Sequence, residues 1–350
     1  MSDDFSLVVE ARSLEAFGDA TLENYATQYD LLVVDHPHIP QAAKLGALRP
    51  LDAEQREGEL DLLAASSVGG SQQSYNFGNR QWALAIDAAA QVAAWRPDLL
   101  AVPPKTLEDV IELAAAGRVV WPGKPVDAFS SFCSLAAHFG HPVAKSRGFV
   151  DEETGAQVFH LLRTLVETCP RQCLDADPVA VAEMLAEGDR YCYAPLLFGY
   201  TNYSRPGFRA NRIRYGNLPF GPGPATGSCL GGAGIAVSAT SKYPDVAEEF
   251  AFFLAGERCQ RGVYYTSGGQ PAHALAWSDP ALNEDSLDFF SGTRETLEGA
   301  WIRPQHVRWP EFQNDSAAAI HLALRDNGEF STLLETLNTL FARHLSEAET

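Results

Sequence analysis

YDLLVVDHPHIPQAAKLGALRPLD, residues 29 to 52, sets a continuous apolar run against an Asp, two His and two Pro, then turns amphipathic. Leu31 to Val34 reads as a strand, buried on both faces because no polar residue interrupts it. The stretch from Ile39 predicts a short helix that stops near Gly46. Asp35, His36 and His38 then stand at the carboxyl end of a strand, which in an open α/β sheet faces the ligand crevice. A strand-end Asp can equally cap the next helix and leave both His solvated. Both readings are open on these residues alone.

Working outward, strand and helix signals alternate. FSLVVEARS predicts a strand, and residues 13 to 28 a helix with Ser13 at its cap. RQWALAIDAAAQVAAWRPDLL predicts a strand that reaches Ile86 and a stretch that ends at the RPD turn. TLEDVIELAAAG is a helix from a Thr106 cap to a Gly117 stop, and RVVWPG a short strand. Helical periodicity dominates residues 151 to 188, YCYAPLLFGY reads as a buried strand, and GIAVSAT as another. YPDVAEEFAFFLAGERCQRGVYY and Ser331 to Leu345 are amphipathic helices. This alternation with short joints predicts the α/β class. Between Tyr200 and Gly234 the texture shifts to Gly, Pro and aromatics, the composition of a long functional loop.

Composition narrows the functions. At 350 residues the chain suits about two domains, and 46% apolar residues make it globular. A formal charge of −19 disfavours nucleic acid and anionic lipid as partners. No apolar run is long enough to cross a bilayer, and MSDDFSLVVEARS carries neither the basic nor the apolar region of a secretion signal. The six Cys form no CxxC pair, although Cys169 and Cys173 are spaced so that they could bridge in an oxidising compartment.

Each candidate site also has a plainer reading. His36 and His38 supply two donors of the three or four a metal needs, with no accompanying ligand pattern, so no metal and no cofactor is expected. Covalent catalysis lacks a GxSxG elbow. Gly231, Gly232 and Gly234 precede a strand, whereas a phosphate-cradling loop follows one. Their absent Cβ atoms suit close approach of a backbone N–H to a neutral ligand, or a simple turn. Tyr75, Trp82, Tyr200, Tyr203 and Trp277, together with Asn76, Asn202 and Gln270, fall in or beside loops. Rings that stack on sugar faces and amides that bond hydroxyls favour a sugar-like ligand.

With those residues in place, the chain resembles the family 1 extracellular solute-binding proteins, receptors of carbohydrate ABC importers. The resemblance is carried by residues 29 to 52, ALAIDAAAQVAAWRPDLL, YCYAPLLFGYTNYSRPG, and LGGAGIAVSATSKYPDVAEEFAFFLAGERCQRGVYYTSGGQPAHALAW, in the family's order. It implies a two-lobe periplasmic-binding-protein-like fold of type II, with the ligand between lobes that close by a hinge. The lobes would be residues 1–100 with 235–295, and 101–234 with 296–350. Ligand-facing positions would fall on Asp35, His36, Tyr75, Asp87, Asp127, Ser130, Tyr200, Asn202, Gly231, Gly232, Gly269, Gln270 and Arg303. The implied protein is a monomer that binds a carbohydrate without chemistry and delivers it to ABC permease subunits. A sugar-processing enzyme using Asp35, His36 and Asp87, or a cytoplasmic sugar sensor, are the alternatives. The family opens with a further strand and long helix before the position of FSLVVEA, so a start assigned too late, or a trimmed chain, is expected. The compartment is periplasmic or extracellular if a signal lies upstream, and cytoplasmic if Met1 is the true start.

Overall fold

The strand Leu31–Val34 (β1) forms where the sequence places it, but it is an edge strand, not one buried on both faces. A computed structural model of the protein describes residues 5–11, 22–145, 148–219, 221 and 223–345. β1 pairs antiparallel with Leu230–Ser238 (β8), in register Leu31 to Val237. Val33 points away from the sheet's covered face and is 44% exposed. The other strands are Leu48–Arg49 (β2), Asn76–Phe77 (β3), Arg80–Gln81 (β4), Leu84–Trp95 (β5), Tyr193–Phe198 (β6) and Arg214–Gly216 (β7).

The main sheet runs β1-β8-β5-β6, with β2 on β8 and β7 on β5. Its spine is β5. The first part of β5, Leu84 to Ala90, pairs with β8, and the rest, Gln91 to Trp95, pairs with β6 and β7. One strand thus belongs to two halves of the molecule. The expected end at Ile86 is corrected: the strand continues through AAAQVAAW. Local preference cannot see this, because alanine favours helix whereas the pairing partners lie more than a hundred residues away. Against β8 the register slips between Ala85 and Asp87, a bulge that leaves Ile86 in the core and sets Asp87 half-exposed.

One buried cluster lies wholly in the first half, and a larger one spans both. Leu84, Ile86, Ile235 and Val237 pack under Ala247, Ala251, Phe252 and Ala255 of the helix Pro244–Ala255. In the other half the helices Pro125–His138, Glu152–Thr168, Trp309–Arg325 and Phe330–Leu345 assemble around Phe129, Phe149, Trp309 and Phe312. The Trp309 and Phe312 rings lie 5.3 Å apart and those of Phe129 and Trp309 6.2 Å apart. Burial of such rings supplies much of the driving force for this half.

Other expectations divide. Thr106 caps its helix in a reciprocal box with Asp109, Gly46 and Gly117 adopt positive φ where their helices stop, and the helix Ile39–Lys44 forms as read. RVVWPG contributes a single parallel bridge, Val119 to Tyr193, and no strand. The long helix from Tyr243 breaks at Gly256, whose extended backbone ends it. FSLVVEA is irregular and exposed, and among the described residues no strand offers it a hydrogen-bond ladder. Its ends are held by the Phe5 ring against Tyr243 and by the Glu10 carboxylate, which accepts from the Tyr29 hydroxyl. Of the helix expected over 13 to 28, Leu22–Ala26 is helical and residues 12 to 21 lie outside the described residues.

Candidate functional site

The carboxyl end of β1 answers both readings of Asp35. Its Oδ1 accepts the His36 N–H at 2.9 Å and so caps the 3-10 turn His36–His38. Both its oxygens also accept from Arg303 Nη2, at 2.9 and 2.8 Å. Burial pushes the carboxyl pKa up, but the Arg303 guanidinium and the His36 bond outweigh it and hold Asp35 well below the usual carboxylate range. His36 is not solvated. It is 1% exposed, its Nδ1 lies 3.3 Å from Asp35 Oδ1, and its ring meets the edge of Tyr75 at 6.2 Å. Burial, with Arg303 adding to it, lowers His36 to about 4, so the ring is neutral near pH 7. Its Nε2 is buried without a hydrogen-bond partner. His38 is lowered too, by burial against the pull of Asp35.

Tyr75 links this corner to the bulge of β5. Its ring seats on Gly234, where a Cβ would come within 2.7 Å of it, and its hydroxyl reaches Val34 O at 3.4 Å. Burial raises its pKa, and the charges of Asp35 and Asp87 both add to the rise. Asp87 has no ion-pair partner among the described residues. Burial raises its carboxyl to about 7, opposed only by the Gln270 backbone N–H. The Tyr264 phenol also feels Asp87, and its ring covers Gly269 at 2.4 Å from where a Cβ would stand. Tyr264 belongs to this corner although the sequence reading did not select it; the Gly268-Gly269 pair was the available signal.

Tyr200 carries the chain of neighbours across to the second half. It follows β6, is half-buried, and its pKa is raised by burial and then by Asp127, Asp87 and Asp177. Asp127 sits in the first turn of the helix Pro125–His138, 5% exposed, with Oδ2 buried and unpartnered. Burial raises it to about 8, Asp177 adds to the rise and Lys124 opposes it. One turn on, Ser130 donates to its own helix at Val126 O, 2.8 Å away.

The remaining expected positions shape the backbone around these groups. Gly231 and Gly232 lie within β8, opposite Ala89 and Ala88. A Cβ on Gly231 would meet the Phe198 ring at 2.9 Å, and one on Gly232, at φ +118°, would meet Asp87 O at 2.3 Å. The space they free is filled by the protein itself. Gln270 is fully engaged: its Oε1 accepts from Thr201 N at 2.8 Å, and its Nε2 donates to Ala88 O at 2.8 Å and Gly199 O at 3.1 Å. It pins the Tyr200 turn to β5. Asn202 is half-buried in the 3-10 turn Thr201–Ser204, with Gly268 against its amide.

The loop aromatics separate into two kinds. Trp277 is core, donating to Pro271 O at 2.7 Å, and the Tyr203 hydroxyl is taken by Glu183 at 2.6 Å. Trp82 donates to Phe77 O at 2.9 Å. The Tyr200 and Tyr264 phenols, both raised first by burial, also feel the charge of Asp87. Among the described residues no group of three or more His, Cys, Asp or Glu is arranged to hold a metal ion, and all six Cys are buried free thiols, Cys169 and Cys173 included. No helix among the described residues is long and apolar enough to cross a membrane.

Residues 8–286 match the family model of the bacterial extracellular solute-binding proteins. A probable ABC transporter-binding protein of Deinococcus radiodurans is 28% identical over 137 residues, which span 38% of this chain and 32% of that relative. Among solved structures, a maltose-bound binding protein of T. maritima superposes with a TM-score of 0.75 at 18% identity, covering 92% of this chain and 88% of that one. A ribitol-bound solute-binding protein of Agrobacterium radiobacter gives 0.74 at 20% identity, covering 91% and 85%. The acarbose-binding GacH receptor of Streptomyces glaucescens gives 0.78 at 14% identity, covering 95% and 89%. These likenesses establish the two-lobe periplasmic-binding fold that the shared strand β5 suggests, and the chain belongs to the bacterial extracellular solute-binding proteins.

Proposed function

We propose that this protein binds a sugar or sugar derivative between its lobes, without chemistry, and delivers it to the permease of an ABC importer. The observation that carries the reading is that the Tyr200 phenol, raised first by burial, also feels the charges of Asp127 and Asp87, one on a helix of the second half and one on the strand common to both halves. Carboxyls beside a half-buried ring suit a ligand with many hydroxyls and an apolar face. The maltose, ribitol and acarbose held by the structural neighbours support this class. Asp35, engaged by Arg303, and His36, almost wholly buried, are poorly available as acid and base, which speaks against a sugar-processing enzyme.

On this reading Asp87, Asp127, Tyr200 and Asn202 contact the ligand. Asp35, His36, Tyr75, Gly231, Gly232, Gly269, Gln270 and Arg303 hold the cleft's frame, and Ser130 lines the helix behind Asp127. The lobes divide near residues 1–100 with 235–295 and 101–234 with 296–350, with the end of β5 joining the second lobe's strands and the start of β8 the first lobe's, and the protein works as a monomer in the periplasm or outside the cell. A calorimetric screen of monosaccharides, disaccharides and polyols tests the function. Saturable binding by one of them, weakened by about 1.5 to 3 kcal/mol in Asp87→Asn, is expected. Silence of the whole set at millimolar concentration overturns it.

A further inference from the structure

Asp127 is a buried acid that the fold leaves incomplete. Its Oδ2 has no hydrogen-bond partner, its side chain is 5% exposed, and among the described residues no cation pairs with it. Lys124 lies 3.8 Å from Asp177, and its charge only partly offsets the rise of the Asp127 carboxyl. The Tyr200 phenol feels the charges of three acidic groups, Asp127, Asp87 and Asp177.

A carboxylate out of water and unpaired is costly, and it is relieved by taking up a proton or by receiving a cation. A sugar hydroxyl can donate one hydrogen bond to it but brings no charge. A protonated primary amine brings three donors and a full positive charge. The chain's formal charge of −19 also draws cations toward it. Taking the proposed sugar-binding function as its basis, we propose that the cleft's ligand carries a protonated amino group, an amino sugar or amino polyol, whose ammonium is held by Asp127.

The test is calorimetric titration of the intact protein near neutral pH with matched pairs: glucosamine against glucose, galactosamine against galactose, and 1-amino-1-deoxysorbitol against sorbitol. N-acetylglucosamine serves as the uncharged control. At least one amino member is expected to bind about tenfold tighter than its parent or more, with the gain lost on acetylation and reduced by added salt. In Asp127→Asn, verified as folded by its thermal transition, the preference should fall to under about twofold. The wild-type pairs decide the matter even if that variant fails to fold. A parent sugar binding as tightly as its amino partner overturns the ammonium proposal and leaves the sugar-binding function standing. Binding by neither member of any pair, nor by the wider sugar set, overturns both.

Discussion

Arg303 Nη2 holds both carboxylate oxygens of Asp35, across 268 residues of sequence, with the guanidinium 8% exposed and the carboxylate 20% exposed. The same segment reaches the first half again through Gln305, which donates to Ser74 O at 3.0 Å, and Glu311 accepts from Gln41 at 3.3 Å. The pair therefore works as a tie between the strand end and the segment that carries Arg303, Gln305 and Glu311. Asp35→Asn leaves a buried guanidinium without its counter-charge and should destabilise the fold by about 3 kcal/mol, the lower end for a buried pair because Asp35 is partly wet. Adding Arg303→Met should recover part of that loss. Urea unfolding of wild type, single and double variants measures both; a single variant as stable as wild type would show that the tie contributes nothing.

The pH dependence of stability separates the frame from the proposed ligand site. Asp87 and Asp127 are raised to about 7 and about 8, so their contribution is complete below the unfolded carboxyl pKa of roughly 4 and is lost as pH rises through the folded values. His36, lowered to about 4, runs the other way: its contribution is complete above its unfolded pKa of roughly 6.5 and is lost as pH falls toward 4. The two slopes oppose each other on the acid side. From about pH 6.5 to about pH 8 only the carboxyls act, and the ligand-free protein should lose stability. Asp177, Lys124 and Tyr200 face Asp127 and set how steep that loss is. Asp127→Asn has no charge to bury and should be more stable than wild type at about pH 8, by about 1 to 2 kcal/mol, while binding its ligand less well. Thermal melts across pH compare the two proteins, and a variant less stable than wild type at the alkaline end contradicts the assignment.

How much of this was legible in the sequence depends on the range of the interaction involved. Asp35 at a strand end, the Thr106 cap and the Gly46 stop are local, and the residues within a few positions decide them. The course of β5 is not local. Ala88 to Trp95 is alanine-rich, and only the distant partners Tyr193–Phe198 and Leu230–Ser238 make it a strand. The resemblance implies Asp35 and Arg303 separately as ligand-facing positions; their bond to each other is not legible in the sequence, since nothing near either residue points to the other. Trp277 and Tyr203 looked like ligand-stacking rings because loop aromatics of both kinds share one composition, and their hydrogen bonds to Pro271 and Glu183 show otherwise. Tyr264 was missed because it sits in a helical stretch that reads as core.

Gly232 tests the backbone around Asp87. At φ +118° and with Asp87 O 2.3 Å from the position of a Cβ, Gly232→Ala meets both strain and a collision with main chain. The bulge that sets Asp87 half-exposed would have to move, so a loss of about 3 kcal/mol or more is expected together with weakened ligand binding. Gly46→Ala, at φ +63° in open space, should cost about 1 kcal/mol and leave binding unchanged. Equal effects in the two variants would mean that β5 and β8 separate more easily than their register suggests.

Gln270 is the last member of the frame to be tested, because its amide serves three backbone groups at once. In Gln270→Ala the Thr201 N–H and the Ala88 and Gly199 carbonyls lose their partner inside the protein, and about 2 to 4 kcal/mol of stability should go with it. Gln270→Glu is the sharper probe. An ionised glutamate still accepts from Thr201 but cannot donate to the two carbonyls, whose negative ends it would face in a buried setting. Protonation restores one donor. The glutamate variant should therefore be less stable than the alanine variant near pH 8 and regain stability as pH falls toward about 5, in the sense required of a carboxyl whose folded pKa is raised. Melts of both variants at the two pH values follow this directly, and a glutamate variant that weakens on acidification relative to the alanine variant would show that the amide's donor side is not what pins the Tyr200 turn to β5.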